Sequence, residues 1–230
     1  MPHLEHLGGG RTVTVTETHT FGTDALLLAD FASPRAHERV CDLGTGCGIL
    51  PILFHRTAPA PMVDAVELCP EAAALAKSNV EQNGLTNGIT VYEEDWRTLS
   101  LPNGAYDRVV CNPPYFTEGS GKLSPLPERR LARHEQGDTL SSVTTAAARL
   151  LKNGGHFVLC HRPERLADVL ETLRANKLEP KRLQLVHARA DRPPFLLLCD
   201  AVRLGKPSLS VLPPLILEHS ESKGSLCPEP

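Results

Sequence analysis

VCDLGTGCGIL, at residues 40–50, is the stretch of sequence that decides the fold. A short apolar run leads into Gly44, Gly46 and Gly48, and a second apolar segment follows. Glycine adopts backbone angles that other residues resist, so it permits a sharp turn and lets the main chain lie close to a ligand. The pattern predicts a buried strand, a tight turn and a helix, with the turn as a candidate ligand site.

The rest of the chain repeats this alternation. We predict strands at residues 39–43, 62–66, 89–92, 106–111 and 156–160, and helices at residues 47–55, 71–83, 139–151 and 163–176. Two strand-like runs, residues 182–188 and 195–202, follow without a helix between them. The expected fold is α/β: a doubly wound, mostly parallel, seven-stranded Rossmann-like sheet with an antiparallel hairpin at its C-terminal end.

Length and composition favour one folded unit, with residues 1–218 as a single domain and the polar residues 219–230 as a flexible tail. A formal net charge of −3 argues against a basic surface for indiscriminate nucleic-acid binding. The seven cysteines lack C-x-x-C spacing, so we expect reduced, mostly buried thiols and no metal site. No signal-peptide pattern or membrane-length apolar run is found, and the expected location is the cytoplasm.

Acidic residues follow three successive predicted strands: Asp42 lies just before the glycines, Glu67 after the second strand and Asp95 after the third. The dinucleotide fingerprint fails because Ile49 occupies its last glycine position, and no phosphate-binding lysine follows the turn. A carboxylate at Asp42 would repel a pyrophosphate but suit an ammonium or sulfonium group. Glu67 could accept hydrogen bonds from both ribose hydroxyls. With Asp95 facing an adenine amine and Trp96 near the ring, these residues fit a cationic adenosine, S-adenosylmethionine.

VVCNPPYF, at residues 109–116, ends the fourth predicted strand with an amide, two prolines and two aromatic residues. Because proline has no N–H, Pro113 and Pro114 leave carbonyl acceptors on a rigid frame, and Asn112 adds a side-chain oxygen. This set of acceptors suits a ligand with two hydrogen-bond donors, such as an –NH2 group. Tyr115 offers an aromatic face on which a base could stack. Two acceptors would favour a pyramidal nitrogen whose lone pair points at the methyl group, so catalysis would be mainly orientation and electrostatic preorganisation.

With these residues the chain resembles the class I methyltransferases that methylate amines. The Asp-x-Gly-x-Gly-x-Gly and Asn-Pro-Pro-Tyr elements occur in the order and spacing of that group. More narrowly, the chain resembles the bacterial tRNA1(Val) adenine-N6-methyltransferase family, which methylates the adenosine just 3′ of the anticodon. The narrower resemblance includes LGGGRTVTVTETHTFGTDALLLADF at 7–31, ARHE at 132–135, HRPERL at 161–166 and EPKRLQLVHAR at 179–189.

The resemblance implies an S-adenosylmethionine-dependent N-methyltransferase that acts on tRNA or another structured RNA and releases S-adenosylhomocysteine. It also implies that residues 1–38 cover the cofactor pocket, and it leaves the oligomeric state open. The residues it assigns to cofactor binding are Phe21, Gly22, Thr23, Asp24, Asp42, Gly44, Thr45, Gly46, Glu67, Leu68, Asp95, Trp96 and Asn112. Those it assigns to catalysis are Asn112, Pro113, Pro114 and Tyr115.

Other functions remain open at this point. An N5-glutamine methyltransferase acting on a protein such as a release factor uses the same Asn-Pro-Pro-Tyr element, but usually has an extra N-terminal helical domain, whereas about 38 residues precede the first predicted strand here. An rRNA amino-methyltransferase and a non-catalytic RNA-binding protein are further alternatives, and Ile49 disfavours a nicotinamide oxidoreductase. The strip at residues 117–131 is only partly basic. Residues that could hold RNA phosphates are Arg162, Arg165, Lys181, Arg182, Arg189 and Arg192.

Overall fold

The computed structural model describes residues 2–56, 60–113 and 139–218. The elements follow along the chain in the order β1 (His3–Gly8), β2 (Arg11–Val15), α1 (Thr23–Ala32), β3 (Arg39–Leu43), α2 (Ile49–Phe54), β4 (Met62–Glu67), α3 (Pro70–Gln82), β5 (Ile89–Glu93), β6 (Tyr106–Cys111), α4 (Thr139–Leu150), β7 (Leu151–His161), a 3-10 turn (Pro163–Arg165), α5 (Leu166–Ala175), β8 (Leu178–His187), β9 (Leu196–Arg203), β10 (Ser210–Val211) and β11 (Leu215–Ile216).

A mixed sheet forms the centre of the fold. Its strand order is β10-β8-β9-β7-β6-β3-β4-β5, and β11 also pairs with β8. The pairings are parallel apart from those of β9, which runs antiparallel to β7 and β8. The predicted sheet, with its antiparallel pair at the C-terminal end, is confirmed. Besides the seven expected strands, the sheet contains the two-residue strands β10 and β11, which are too short to give a sequence pattern.

Helices cover both faces of this sheet, and each face buries its own apolar cluster. Helices α1, α2 and α3 pack on one face, and α4 and α5 pack on the other. In β6, Val110 belongs to the first cluster and Val109 to the second, because successive side chains of a strand point to opposite faces. Coverage on both faces explains why β6 is an almost unbroken apolar run in the sequence.

Strands β7 and β8 begin earlier than the sequence predicts. We expected β7 from residue 156, but it starts at Leu151, directly after α4. The polar stretch between them, residues 152–154, is exposed and has the composition of a loop, yet it continues the strand across a register shift against β6. Strand β8 starts at Leu178 instead of residue 182, because pairing with β9 extends through Pro180.

The N-terminal segment forms the β1–β2 hairpin and helix α1, whose secondary structure the sequence pattern did not predict. Strand β2 lies along α3, and side-chain amides at the C-terminal end of α3 pair with its backbone. Asn79 Oδ1, in α3, accepts from Thr14 N at 2.8 Å, and Asn83 Oδ1, in the C-cap residue of α3, accepts from Thr12 N at 3.0 Å. Because α3 starts at the carboxyl end of β4, β2 runs toward that edge of the sheet. The connecting residues 16–22 therefore lie at the carboxyl edge of the parallel strands.

A buried ion pair joins the residue before β3 to strand β6. The Glu38 carboxylate accepts hydrogen bonds from Nε and a terminal nitrogen of Arg108 at 2.8 and 3.0 Å, and both side chains are about nine-tenths buried. Burial by itself would raise the pKa of Glu38, but the hydrogen bonds and charge of Arg108 hold it below its usual value. Removing either partner would leave an uncompensated charge in the interior.

Candidate active site

The glycine turn after β3 is tied to the neighbouring strand β4. The N–H groups of Gly44 and Thr45 donate to the Val66 carbonyl at 2.9 and 3.0 Å. Gly44 has φ +77° and Gly46 has φ +58°, a region in which residues with a side chain are strained. A Cβ on Gly44 would also lie 3.3 Å from Cζ3 of Trp96. The predicted strand, tight turn and helix are confirmed.

Asp42 is a buried carboxylate without a hydrogen-bond partner in the described part of the chain. It lies on β3 with 0% of its surface exposed, and neither carboxylate oxygen is bonded. The buried Thr45 hydroxyl is equally unpaired among the described residues. Burial raises the pKa of Asp42 to about 7; the nearby Thr45 hydroxyl opposes the rise and the charge of Glu67 adds to it. Such unpaired groups are costly to bury, so the site is suited to a ligand that brings donors and positive charge.

Glu67, at the end of β4, holds the glycine turn against the start of α3. One carboxylate oxygen accepts from Gly46 N and the other from Cys69 N, each at 2.8 Å. An ionised carboxylate has about four lone-pair sites, so these two bonds are compatible with further bonds from ribose hydroxyls. The ribose contact stays a prediction, and Glu67 also has a structural part that the sequence did not reveal.

Asp95 and Trp96 follow β5 beside the glycine turn. Asp95 accepts from the backbone N–H of Arg97 at 2.9 Å and pairs with its guanidinium at 2.6 Å, and these bonds hold the pKa of Asp95 below its usual value. The Trp96 indole N–H donates to Ser142 Oγ on α4 at 3.3 Å. Leu68, next to Glu67, is 50% exposed. Trp96 and Leu68 offer apolar surface at the predicted adenosine site, and the contacts of all three residues with a ligand remain predictions.

The predicted cofactor residues before β3 surround the start of α1. Phe21 packs against the apolar cluster of this face. Gly22 is the N-cap of α1, Thr23 is its first residue, and Asp24 Oδ1 accepts from Ala25 N at 2.9 Å. Phe21 and Gly22 end the connecting residues 16–22, and Thr23 and Asp24 follow directly, so all four lie at the same edge of the sheet as the glycine turn. Their contact with a cofactor stays a prediction.

The Asn-Pro element, Asn112 and Pro113, lies beside the glycine turn. Strands β3 and β6 are neighbours, and Leu43 lies opposite Cys111. Because the backbones of paired strands lie about 5 Å apart, we expect the residues that follow each strand to lie close together as well. Asn112 is half-buried and Pro113 is buried. The other predicted catalytic residues, Pro114 and Tyr115, and the strip at 117–131 lie outside the described residues.

The family model for the methyltransferase small domain matches residues 19–176, more than half of the chain. The chain belongs to this family. One relative of this methyltransferase, the tRNA1(Val) (adenine(37)-N6)-methyltransferase of Tolumonas auensis, is 34% identical over 160 residues, which are 66% of each chain. The protein of the same name from Parabacteroides distasonis is 30% identical over 205 residues, 88% of this chain and 85% of that one.

Solved structures of other methyltransferases share the fold. A predicted O-methyltransferase from Agrobacterium tumefaciens has a TM-score of 0.69 at 23% identity, covering 87% of this chain and 90% of its own. Geranyl diphosphate C-methyltransferase from Streptomyces coelicolor has a TM-score of 0.57 at 14% identity, covering 79% and 80%. At these identities the likeness concerns the fold alone.

The residues of the methyltransferase's glycine turn fit S-adenosylmethionine. Unpaired acceptor oxygens of Asp42 suit the positively charged end of that molecule. A Cβ built on Gly46 meets nothing within 4 Å, so the main chain is open to a ligand there. A carboxylate, Glu67, ends the next strand, where a ribose would require one. The cofactor of the family therefore matches the donors and acceptors of this chain.

Several of the basic residues expected to hold RNA are already paired with acids. Arg165 pairs with Asp168, Arg189 with Asp191 and Glu218, and Arg182 with Asp200. Arg182 also lies over the ring of Phe31, 4.6 Å from its centroid. Paired charges on a surface attract phosphate less, so the prediction of RNA contacts at these three arginines is weakened.

Two contacts of the site join residues far apart in sequence, and no sequence pattern predicts either of them. Ser142 supports Trp96, and Cys160 donates its thiol hydrogen to Asn112 Oδ1 at 3.1 Å. Neither has a local signal, because a serine in a helix and a cysteine in an apolar strand are ordinary. Only the pairing of β6 with β7 brings Cys160 next to Asn112.

Within residues 2–56, 60–113 and 139–218, no helix is long and apolar enough to cross a membrane. The same ranges contain no group of three or more His, Cys, Asp or Glu side chains placed to hold a metal ion. All six cysteines described there are free, and all except Cys69 are buried, which confirms the expectation of mostly buried thiols.

Proposed function

We propose that this chain transfers a methyl group from S-adenosylmethionine to the exocyclic N6 amine of an adenosine in tRNA. The main support is the adjacency of two strand ends: the glycine turn with unpaired Asp42 after β3, and the Asn-Pro element after β6. The names of the Tolumonas auensis and Parabacteroides distasonis relatives support adenosine 37 of tRNA1(Val) as the target. We expect the enzyme to act in the cytoplasm, where tRNA is found.

The donor side consists of residues that follow β3, β4 and β5. S-adenosylmethionine supplies a methyl group on a positively charged sulfur and leaves as S-adenosylhomocysteine. Asp42 and Thr45 receive the positively charged end of the donor, because their oxygens are buried and unpaired among the described residues. Glu67 accepts from the ribose hydroxyls, and Trp96 lies against the adenine ring. Together these residues fix the donor and exclude water from its charged end.

The acceptor side is the Asn-Pro element. Asn112 Oδ1 and a backbone carbonyl accept the two hydrogens of the adenine amine, and Pro113 contributes no competing N–H. Two such bonds turn the nitrogen lone pair away from the ring and toward the methyl group. The nitrogen attacks as the neutral amine, so no base is needed first, and a proton leaves to water after the new N–C bond has formed. Orientation and electrostatic preorganisation supply the rate enhancement.

The test combines activity with cofactor binding. Purified protein, unmodified tRNA and methyl-labelled S-adenosylmethionine are incubated, and the RNA nucleosides are analysed by mass spectrometry. We expect labelled N6-methyladenosine from the wild type and about 100- to 1000-fold less from Asn112→Ala, with the cofactor Kd nearly unchanged. Asn153→Ala, at an exposed position in β7, is the matched control and should keep full activity.

Three outcomes contradict the proposal. Label in protein glutamine instead of RNA would favour the protein methyltransferase, and saturable RNA binding without transfer would indicate a non-catalytic RNA-binding protein. Lost cofactor affinity together with retained turnover in Asn112→Ala would show that Asn112 belongs to the donor side alone.

A further inference from the structure

A thiol–amide hydrogen bond links the strand that ends in the Asn-Pro element to its neighbour. The Cys160 thiol donates to Asn112 Oδ1 with an S···O distance of 3.1 Å. Strands β6 and β7 are parallel, with Cys111 opposite Leu159, so the following residues, Asn112 and Cys160, also lie side by side. Cys160 is 0% exposed, so water does not compete for its hydrogen.

The contact affects whether the oxygen or the nitrogen of the Asn112 carboxamide points toward β7. A carboxamide has an acceptor oxygen and a donor nitrogen of similar size, and a half-turn of the side chain exchanges them. Only the oxygen can accept from an amine substrate. A thiol is a weak donor and a weaker partner for an N–H group, so it favours the orientation with the oxygen toward β7. A carboxamide oxygen accepts two hydrogen bonds, so a bond from the thiol is compatible with one from a substrate amine.

We propose that Cys160 is a positioning residue for methyl transfer: its thiol holds the Asn112 carboxamide in the orientation that presents Oδ1 to the amine of the substrate. This inference rests on the function proposed above for Asn112. Cys160 itself does not touch the donor or take part in bond formation. The thiol acts by favouring the orientation of the carboxamide whose oxygen the reaction uses, which lowers the barrier only for the step that uses the oxygen.

The kinetic test compares Cys160→Ala with Cys160→Ser. Serine and alanine differ by one hydroxyl, so the pair isolates the hydrogen-bond donor from the change in volume. We expect Cys160→Ala to lower kcat about three- to tenfold with the KM and Kd for S-adenosylmethionine unchanged, and Cys160→Ser to restore kcat to within about twofold of wild type. Cys199→Ala is the matched control, because Cys199 is equally buried on the adjacent strand β9 and pairs with Leu159 rather than contacting Asn112.

A second readout does not depend on the substrate. In isotope-labelled protein, the NMR signals of the Asn112 side-chain amide are identified by their loss in Asn112→Ala. We expect them to shift and broaden in Cys160→Ala and to remain near their wild-type positions in Cys160→Ser and Cys199→Ala. This experiment tests the thiol contact even if the wild type leaves tRNA unmethylated, a result that would refute the proposed function separately.

Three results overturn the inference. One is a kcat of Cys160→Ala equal to wild type, or a loss that Cys160→Ser shares fully. Another is an Asn112 amide signal that is identical in the wild type and in Cys160→Ala. If Cys199→Ala lowers kcat as much as Cys160→Ala does, the effect belongs to core packing and the inference also fails.

Discussion

Replacing Asp42 by asparagine should change how the stability of the ligand-free protein depends on pH. Burial raises the pKa of Asp42 from 3.8 to about 7, so between these values the folded protein carries a proton that the unfolded chain has lost. Its stabilising contribution is fully present below about pH 4 and disappears as the pH rises through about 7. A shift of about three units corresponds to about 4 kcal/mol over the whole range, of which about 2 kcal/mol falls between pH 5.5 and 8.

The measurement is urea denaturation at pH 5.5 and pH 8, followed by circular dichroism. From pH 5.5 to pH 8 the free energy of unfolding of the wild type should fall by about 2 kcal/mol more than that of Asp42→Asn, which has no titrating group at this position. Glu93→Gln removes an exposed carboxylate at the end of β5 and should keep the wild-type pH dependence. If the curves of wild type and Asp42→Asn run parallel, the reasoning about a buried, unpaired carboxylate is refuted.

The same titration should appear in cofactor binding. A cationic ligand binds the charged form of Asp42, so at pH 6 S-adenosylmethionine should release about one proton from the wild type. Calorimetry in two buffers of different ionisation enthalpy measures that number. Asp42→Asn should bind more weakly and release no proton from this group; equal proton release in both proteins would contradict the assignment.

Three further predictions concern the glycine turn and the interior. Gly44→Ala places a methyl group against Trp96, so it should change the tryptophan fluorescence and raise the cofactor Kd at least tenfold in calorimetry. Gly46→Ala introduces a similar backbone strain of about 1 kcal/mol, but its methyl group has no neighbour within 4 Å, so the tryptophan fluorescence should stay unchanged. Glu67→Gln places an amide nitrogen against one of two N–H donors, so the cofactor Kd should rise at least tenfold in a calorimetric titration, while a Kd equal to wild type would exclude the ribose role. Glu38→Gln leaves a buried guanidinium without its counter-charge and should lower the free energy of unfolding by about 3 kcal/mol in urea, with cofactor affinity unchanged.

The sequence was sufficient to predict the sheet and the glycine turn because both depend on local signals. Buried strands of a parallel sheet are continuous apolar runs, and Gly44, Gly46 and Gly48 mark the turn after the first of them. The same pattern placed Asp42, Glu67 and Asp95 after three successive predicted strands and the Asn-Pro element after the fourth. Their common edge follows from parallel pairing alone, so no long-range information was required.

Other features depend on contacts between distant segments and could not be predicted in this way. The β1–β2 hairpin is held by Asn79 of α3 and by Asn83, the C-cap residue of that helix, whose side-chain amides bond the backbone of β2 as a neighbouring strand would. Likewise, whether the Asp42 oxygens have a hydrogen-bond partner depends on which residues pack around them in the interior. The thiol contact of Asn112 depends on the register between β6 and β7. Sequence patterns indicate which residues lie at the edge, but not which of them are already bonded.

The reversed direction of β9 divides the carboxyl edge of the sheet into two parts: one with turns that lead from strands into helices, and one with a hairpin between two strands. Beyond β7, the chain goes from β8 into β9 through residues 188–195, and no helix starts there. That hairpin tip can lengthen or shorten without unseating a helix from either face, whereas the turns after β3 and β4 cannot. Changes in the length of this tip are therefore compatible with an unchanged glycine turn after β3.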